Sequence, residues 1–329
     1  MNKKYAIYYI FDFNYIFPQE VALVSFLLHN KWFIEENHTV IFGYYGKCDS
    51  IHKEEFNKIY NNIIWIDISN PNIIYNELFD TYIKNTNDEN GYKFYKERYK
   101  VNLFNKFYIF DNIDYDKIIY LDTDIICVHD VKYLFEDNYN FAASYSPVTE
   151  NCNKDLNILY QFPYYTNELQ FENMYNFYTK YNDSPKINAG ILCADKNINK
   201  YINKTTLETF INNFKTYVST PTPEETFLNI YFEKHIDILK ELSLLPLNVQ
   251  STVNSDIYRF YDLDKYQLFN PNFPKNDAYY ELTKYDFIHL IQKPWSQGIN
   301  SKEHVYSIWY IYVYFTMQIL INKRNILDL

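Results

Sequence analysis

Asp122 and Asp124 bracket Thr123 at the end of an apolar run, Ile118-Ile119-Tyr120-Leu121. Four large apolar residues in a row read as a strand buried on both faces. Strand alternation then puts both carboxylates on one face, exposed at the strand's carboxyl end, where open α/β sheets bind ligands. Two carboxylates so placed repel one another unless a cation lies between them. Oxygen ligands suit Mg²⁺ or Mn²⁺, which bind through one or two carboxylates together with substrate phosphates. The spacing therefore points to a metal-bridged diphosphate. A strand followed by a turn with solvated acids is the plainer alternative.

Four other segments carry residues fit for the same task. Asp12, Asn14 and Tyr15 offer a carboxylate, an amide and a ring directly after an apolar run, a set that suits a ribose and a base. A polar strand-to-helix turn would use the same residues. Asn188-Ala189-Gly190 interrupts the apolar stretch from Ile187 to Ala194. A glycine inside a strand marks the close approach of a ligand or backbone, or a bulge. Glu224 and Glu225 follow Pro223 at a helix start, where acids also stabilise the helix dipole. His289 ends a late apolar run and offers a metal ligand, and Lys293 before Pro294-Trp295 offers a phosphate clamp.

These residues need a scaffold that brings distant segments to one edge. Strands are expected at Tyr5 to Phe11, Thr39 to Tyr44, Ile63 to Ile66, the run ending at Leu121, Asn140 to Ser144, Ile187 to Ala194 and Asp286 to Ile291. Helices are expected over Pro18 to His29, Glu54 to Tyr60, Phe104 to Phe110, Thr206 to Val218 and Glu224 to Phe232. Strands alternating with helices mean an α/β fold with a Rossmann-like, mostly parallel sheet and helices on both faces. We read residues 1–295 as one catalytic domain and 296–329 as a C-terminal helical segment. Within it, Val305 to Ile321 is almost wholly apolar, short for a membrane span of ~20 residues, and read as a buried or interfacial helix. Peripheral membrane contact through that segment stays open.

Bulk properties narrow the field. A formal charge of −10 over 329 residues argues against nucleic acid as a partner. Only five glycines are present, and neither a dinucleotide fingerprint nor a P-loop can be written from them. A nucleotidyltransferase, which would carry a Gly-rich phosphate loop near the first strand, is thereby disfavoured. Cys48, Cys127, Cys152 and Cys193 form no CxxC pair, and Cys127 and Cys193 sit in apolar runs as core residues. Asp12 and Asn14 interrupt the apolar start, so no signal peptide is expected and a cytoplasmic location is.

Taken together and in order, these segments resemble the retaining family 8 glycosyltransferases, the group of glycogenin and the bacterial lipopolysaccharide glucosyl- and galactosyltransferases. The resemblance runs from Tyr5 to Trp295. Its most specific parts are Tyr-Leu-Asp-Thr-Asp at 120 to 124, Asn-Ala-Gly at 188 to 190, and His289 with Lys-Pro-Trp at 293 to 295. It implies a GT-A fold, a UDP-linked sugar donor such as UDP-glucose or UDP-galactose, and Mn²⁺ or Mg²⁺. By that resemblance Asp122, Asp124 and His289 hold the metal, while Asp12, Asn14 and Tyr15 contact the nucleotide. Lys293 contacts the diphosphate, Lys106 the donor and Asn188 the donor sugar. A glycan, lipid-linked or protein hydroxyl is the implied acceptor.

Two departures stand out. Glu224-Glu225 replaces the family's usual Asp-Gln, so a carboxylate sits where an amide would face the anomeric carbon. The loop from His289 to Lys293 is two residues shorter, with Gln292 where the family has glycine. No unmistakable nucleophile is visible, so same-face attack with Glu224 and Glu225 lining the donor is the expected route. A nucleotide-sugar-binding protein without transfer activity, or a nucleotide-sugar hydrolase, is the alternative. The stretch from Val148 to Tyr181, with Tyr160, Phe162, Tyr164 and Tyr165, is a candidate acceptor surface.

Overall fold

The computed structural model describes residues 3–70, 74–85, 103–111, 114–145, 187–213, 223–234, 245–247, 250–252, 286–290, 295 and 307–329. Lys293 and the 148–181 stretch lie outside them. In chain order come β1 (Tyr5–Asp12), α1 (Ile16–His29), α2 (Lys31–Glu35), β2 (Thr39–Tyr45), α3 (Ser50–Ile59), β3 (Ile63–Asp67) and α4 (Ile74–Asn85). Next are a 3₁₀ turn at Leu103–Phe107, α5 (Tyr108–Asp111), β4 (Lys117–Leu121), β5 (Ile125–Cys127), α6 (Lys132–Glu136), β6 (Phe141–Tyr145) and β7 (Ile187–Asp195). The order closes with α7 (Lys204–Asn213), α8 (Pro223–Lys234), β8 (Leu245–Leu247), β9 (Gln250–Thr252), β10 (Phe287–His289) and α9 (Ser307–Leu320).

The main sheet runs β3-β2-β1-β4-β7-β6-β8. Its first four strands are parallel, β7 is antiparallel to both β4 and β6, and β8 returns parallel to β6. β1 and β4 are buried on both faces, as their unbroken apolar runs require. Along β1 the side chains alternate between two cores. Ala6, Tyr8 and Ile10 face a cluster that includes Phe104, Phe107, Phe110 and Phe227. Tyr5, Ile7, Tyr9 and Phe11 face another, with Phe26, Phe33, Phe42 and Phe56. Helices α4, α5, α7 and α8 thus cover one face, and α1, α2, α3 and α9 the other.

Strand order reverses between β1 and β4, which is where doubly wound sheets open a crevice beyond the carboxyl ends of their strands. Tyr8 pairs with Tyr120, so Asp12 and Asp122 both leave the sheet at that edge. A small second sheet, β5-β10-β9, sits beside it, with β10 antiparallel to β5 and His289 opposite Ile125.

Several sequence expectations change here. The helix expected at Glu54 begins at Ser50, after Asp49. Helix Ile74–Asn85 and the strand Ile125–Cys127 were not expected. Most consequentially, β4 ends at Leu121, so strand alternation does not place the two carboxylates, and they are not exposed strand-end acids.

Candidate active site

The two carboxylates meet through a turn. Ile125 N–H donates to the Asp122 carbonyl at 3.1 Å, which folds Asp124 back beside Asp122. β5 then leads straight out of the turn and pairs with β10. Leu290 N–H donates to the Asp124 carbonyl at 2.8 Å, fastening the end of β10 onto the turn. His289 Nε2 lies 3.3 Å from Asp124 Oδ2. One ligand atom each from Asp122, Asp124 and His289 fall within 4.8 Å of one another. Burial lowers the His289 imidazole below its ordinary range against the opposing pull of Asp122 and Glu225, leaving a neutral ring with a lone pair to give.

Lys106 reaches the same centre from the 3₁₀ turn before α5. Its ammonium lies 3.1 Å from Asp122 Oδ1, 3.0 Å from Glu224 Oε1 and 3.4 Å from the Ala189 carbonyl, over the Tyr120 ring. Both Lys106 and Glu224 are almost fully buried. Burial would raise the Asp122 carboxyl, but Lys106, His289 and the Tyr120 hydroxyl, which donates to Asp122, hold it below the usual carboxylate range. Burial would equally lower Lys106, and Asp122 with Glu224 outweigh it, so the ammonium stays charged.

Helix α8 delivers Glu224 and Glu225 in its first turn, after Pro223. Glu225 Oε1 accepts from the Ala189 N–H at 3.1 Å, while Glu224 Oε2 is buried with no hydrogen-bond partner among the described residues. A carboxylate oxygen so placed can accept from a hydroxyl or amide donor.

Gly190 shows why this strand carries a glycine. Residues 189 to 191 of β7 are passed over in the pairing with β6, where Ala143 pairs with Leu192 and Ser144 with Asn188, so the strand bulges. A Cβ at Gly190 would lie 2.9 Å from Asn188 Oδ1 and 3.2 Å from His289 Cε1. The atoms that crowd this position are the Asn188 amide of the same strand and the His289 ring from β10. Asn188 Oδ1 accepts from Gly190 N–H at 2.9 Å, which fixes its amide orientation. Gly190→Ala is expected to displace His289 and weaken Mn²⁺ binding about tenfold, the scale of losses when a ligand's support is removed. A calorimetric titration with Mn²⁺ that matches the wild type would refute this role.

At the β1 edge, Asp12 accepts from Asn14 N–H at 2.8 Å and caps the turn Phe13–Tyr15, with Asn14 exposed and Tyr15 half-buried. The Tyr15 ring lies 5.6 Å from Trp295, the residue that closes the Lys-Pro-Trp segment. The structure therefore brings together Asp122, Asp124, His289, Lys106, Asn188, Glu224 and Glu225. It leaves Asp12, Asn14 and Tyr15 on the adjoining rim. Sequence reasoning missed Tyr120, whose hydroxyl is aimed at Asp122; a tyrosine two residues before a carboxylate in a strand was the available signal.

Two carboxylates and a neutral imidazole form a donor set suited to Mn²⁺ or Mg²⁺. Among the described residues, the carboxylates of this cluster, Asp122, Asp124, Glu224 and Glu225, outnumber the ammonium of Lys106. Among the described residues the balance is negative, and a divalent cation would offset it.

Residues 6–297 match the glycosyl transferase family 8. No curated protein matches the chain. Among solved structures, it is similar to the apo form of the glycosyltransferase GlyE of Streptococcus pneumoniae TIGR4, with 17% identity, a TM-score of 0.54, and coverage of 98% of this chain and 63% of that one. The galactosyltransferase LgtC in complex with donor and acceptor sugar analogs superposes with a TM-score of 0.51 at 13% identity, over 94% of this chain and 95% of that one. The bifunctional glycosyltransferase WbbM, in its apo structure, gives 0.53 at 13%, over 99% of this chain and 52% of that one. The chain thus spans about three-fifths of GlyE and half of WbbM, but nearly all of LgtC. At these identities the likeness is one of fold, and the fold is GT-A.

Proposed function

The chain belongs to glycosyl transferase family 8, and from that premise we propose a retaining transfer of a hexose from a UDP-linked donor to a hydroxyl acceptor, supported by Mn²⁺ or Mg²⁺. One observation carries the reading: Asp122, Asp124 and His289 converge at the edge where the strand order reverses. Asp122, Asp124 and His289 would hold a divalent cation, which would supply Lewis-acid relief of the charge on the leaving diphosphate. UDP-glucose or UDP-galactose is the proposed donor.

The chain's own residues have distinct tasks in this scheme. Lys106 keeps Asp122 ionised and ties it to Glu224. Such preorganised charges are usually the largest catalytic term. Glu224 and Glu225 line the donor sugar, Glu224 through its Oε2, and Glu225 as a carboxylate beside the developing positive charge. Asn188 contacts the same sugar. Asp12, Asn14 and Tyr15 hold the nucleoside, and Lys293 the diphosphate.

A glycan, lipid-linked or protein hydroxyl accepts the sugar. We place the activity in the cytoplasm, consistent with the free thiols of Cys48, Cys127 and Cys193. Among the described residues no helix is long and apolar enough to cross a membrane. Tyr310, Tyr314 and Met317 form an exposed stripe along α9, continued past its end by Ile321 and then Lys323 and Arg324, a surface suited to peripheral membrane contact.

The test is UDP and GDP release from a panel of nucleotide sugars, with and without Mn²⁺, and with and without simple sugar acceptors. Mn²⁺-dependent UDP release that rises with acceptor is expected. Release indifferent to every acceptor would make the protein a hydrolase. Donor binding without release would make it a binding protein.

A further inference from the structure

Helix α9 begins ten residues beyond the stretch matched by the family, 6–297, yet it reaches the back of the proposed metal site. Trp309 and Tyr312 share one buried cluster with Ile288 and Leu290, the two neighbours of His289. Side chains alternate along an extended chain, so Ile288 and Leu290 face away from the side that His289 takes. β10 therefore has the carboxylates before it and the α9 cluster behind it. The Trp309 ring also lies 4.8 Å from Trp295, whose own ring is 5.6 Å from Tyr15. Three rings thus link α9, the end of the Lys-Pro-Trp segment and the turn after β1. On the same helix, Tyr312 bonds His29 at 2.7 Å and Ile319 enters the separate core beside α1.

We infer that α9 is the back wall of the donor site, and that Trp309 is a positioning residue for His289 and Trp295. The inference rests on the donor-and-metal reading above. β10 is three residues long, and β5 and β9 hold its backbone edges without packing its faces. Metal ligation needs side chains placed to about 0.5 Å, so the face opposite His289 must be packed. Trp309 shares the packing of that face with Tyr312 of α9 and Val21 of α1.

The test compares Trp309→Leu, Trp309→Phe and Ile319→Ala in the full chain. The readouts are the Mn²⁺ dissociation constant by electron paramagnetic resonance, the UDP constant by calorimetry, and Tm. Trp309→Leu removes the ring against Trp295 and is expected to weaken Mn²⁺ and UDP about tenfold. Trp309→Phe keeps a ring and should fall between it and the wild type. Ile319→Ala should lower Tm while leaving both constants unchanged. Unchanged constants in Trp309→Leu would overturn the inference, as would Ile319→Ala weakening them equally. If Trp309→Leu does not fold, unchanged constants in Trp309→Phe overturn it instead. A wild-type chain that binds neither Mn²⁺ nor UDP would refute the donor-and-metal reading itself; wild-type binding with indifferent Trp309 variants refutes this inference alone.

Discussion

Asp124→Asn is expected to lower sugar transfer by about 10³-fold, because Lewis-acid assistance is worth several kcal/mol and each 1.4 kcal/mol is a factor of ten. The substitution is nearly isosteric, so it isolates charge from shape. Leu290 N–H bonds the backbone carbonyl of residue 124, and that link survives. The metal-free protein should be no less stable than the wild type, since the mutation removes one of two carboxylates that repel across the turn. Ligand linkage gives the signature. At a Mn²⁺ concentration of ~100 times its dissociation constant the wild type should gain about 2.7 kcal/mol, seen as a rise in Tm that EDTA reverses. Asp124→Asn should lose that rise. A variant whose Tm still climbs with Mn²⁺ as in the wild type would remove Asp124 from the metal site.

The distance between this outcome and a reading of the sequence lies in one turn. The apolar run Ile118 to Leu121 identified β4, and the Asp-X-Asp triplet marked its end. Alternation along a strand predicts two acids on an exposed face; the Asp122-to-Ile125 turn instead tucks Asp124 under β10, where its side chain is 7% exposed. Period-2 patterns report strands and cannot report the turn that ends one. The strand Ile125–Cys127 is missed for a related reason, since three residues carry no period. Helix Ile74–Asn85 has an apolar face at Tyr75, Leu78 and Phe79, but aromatic residues are so common in this chain that the spacing did not stand out.

Other features were legible in kind and not in partner. Gly190 announced the close approach of a ligand or backbone, or a bulge; the bulge occurs, and side chains crowd the position. Nothing local says that the approaching group is His289, which lies 99 positions away and meets it only once β5 has recruited β10. Lys106 entered through the resemblance as a donor contact. Its bond to Glu224, across 118 positions, depends on α8 packing against the 3₁₀ turn, where the Phe227 ring meets Phe104 and Phe107. Sequence shows which residue types are present; long-range packing decides which of them share a site.

That bond to Glu224 makes Lys106→Met the second large effect. Lys106 and Glu224 are each 6% exposed at the side chain, so water cannot replace the lost partner. Removing one member of a buried charged set typically costs about 3–5 kcal/mol, because the remaining charges are left uncompensated. Here two carboxylates, Asp122 and Glu224, lose the same ammonium. Met keeps most of the apolar stem volume, so little of the loss is packing. Denaturant unfolding without metal should report the deficit as a lower midpoint at an unchanged slope. Mn²⁺ should then restore more stability to Lys106→Met than to the wild type, since a cation at Asp122 offsets part of what the ammonium supplied. Adding Glu224→Gln should recover stability too, because it removes a stranded carboxylate, while transfer should stay low in the double variant. If Lys106→Met unfolds at the wild-type midpoint, Asp122 and Glu224 do not depend on this lysine. The alternating charges would then be a feature of the donor site alone and not of the fold that holds it.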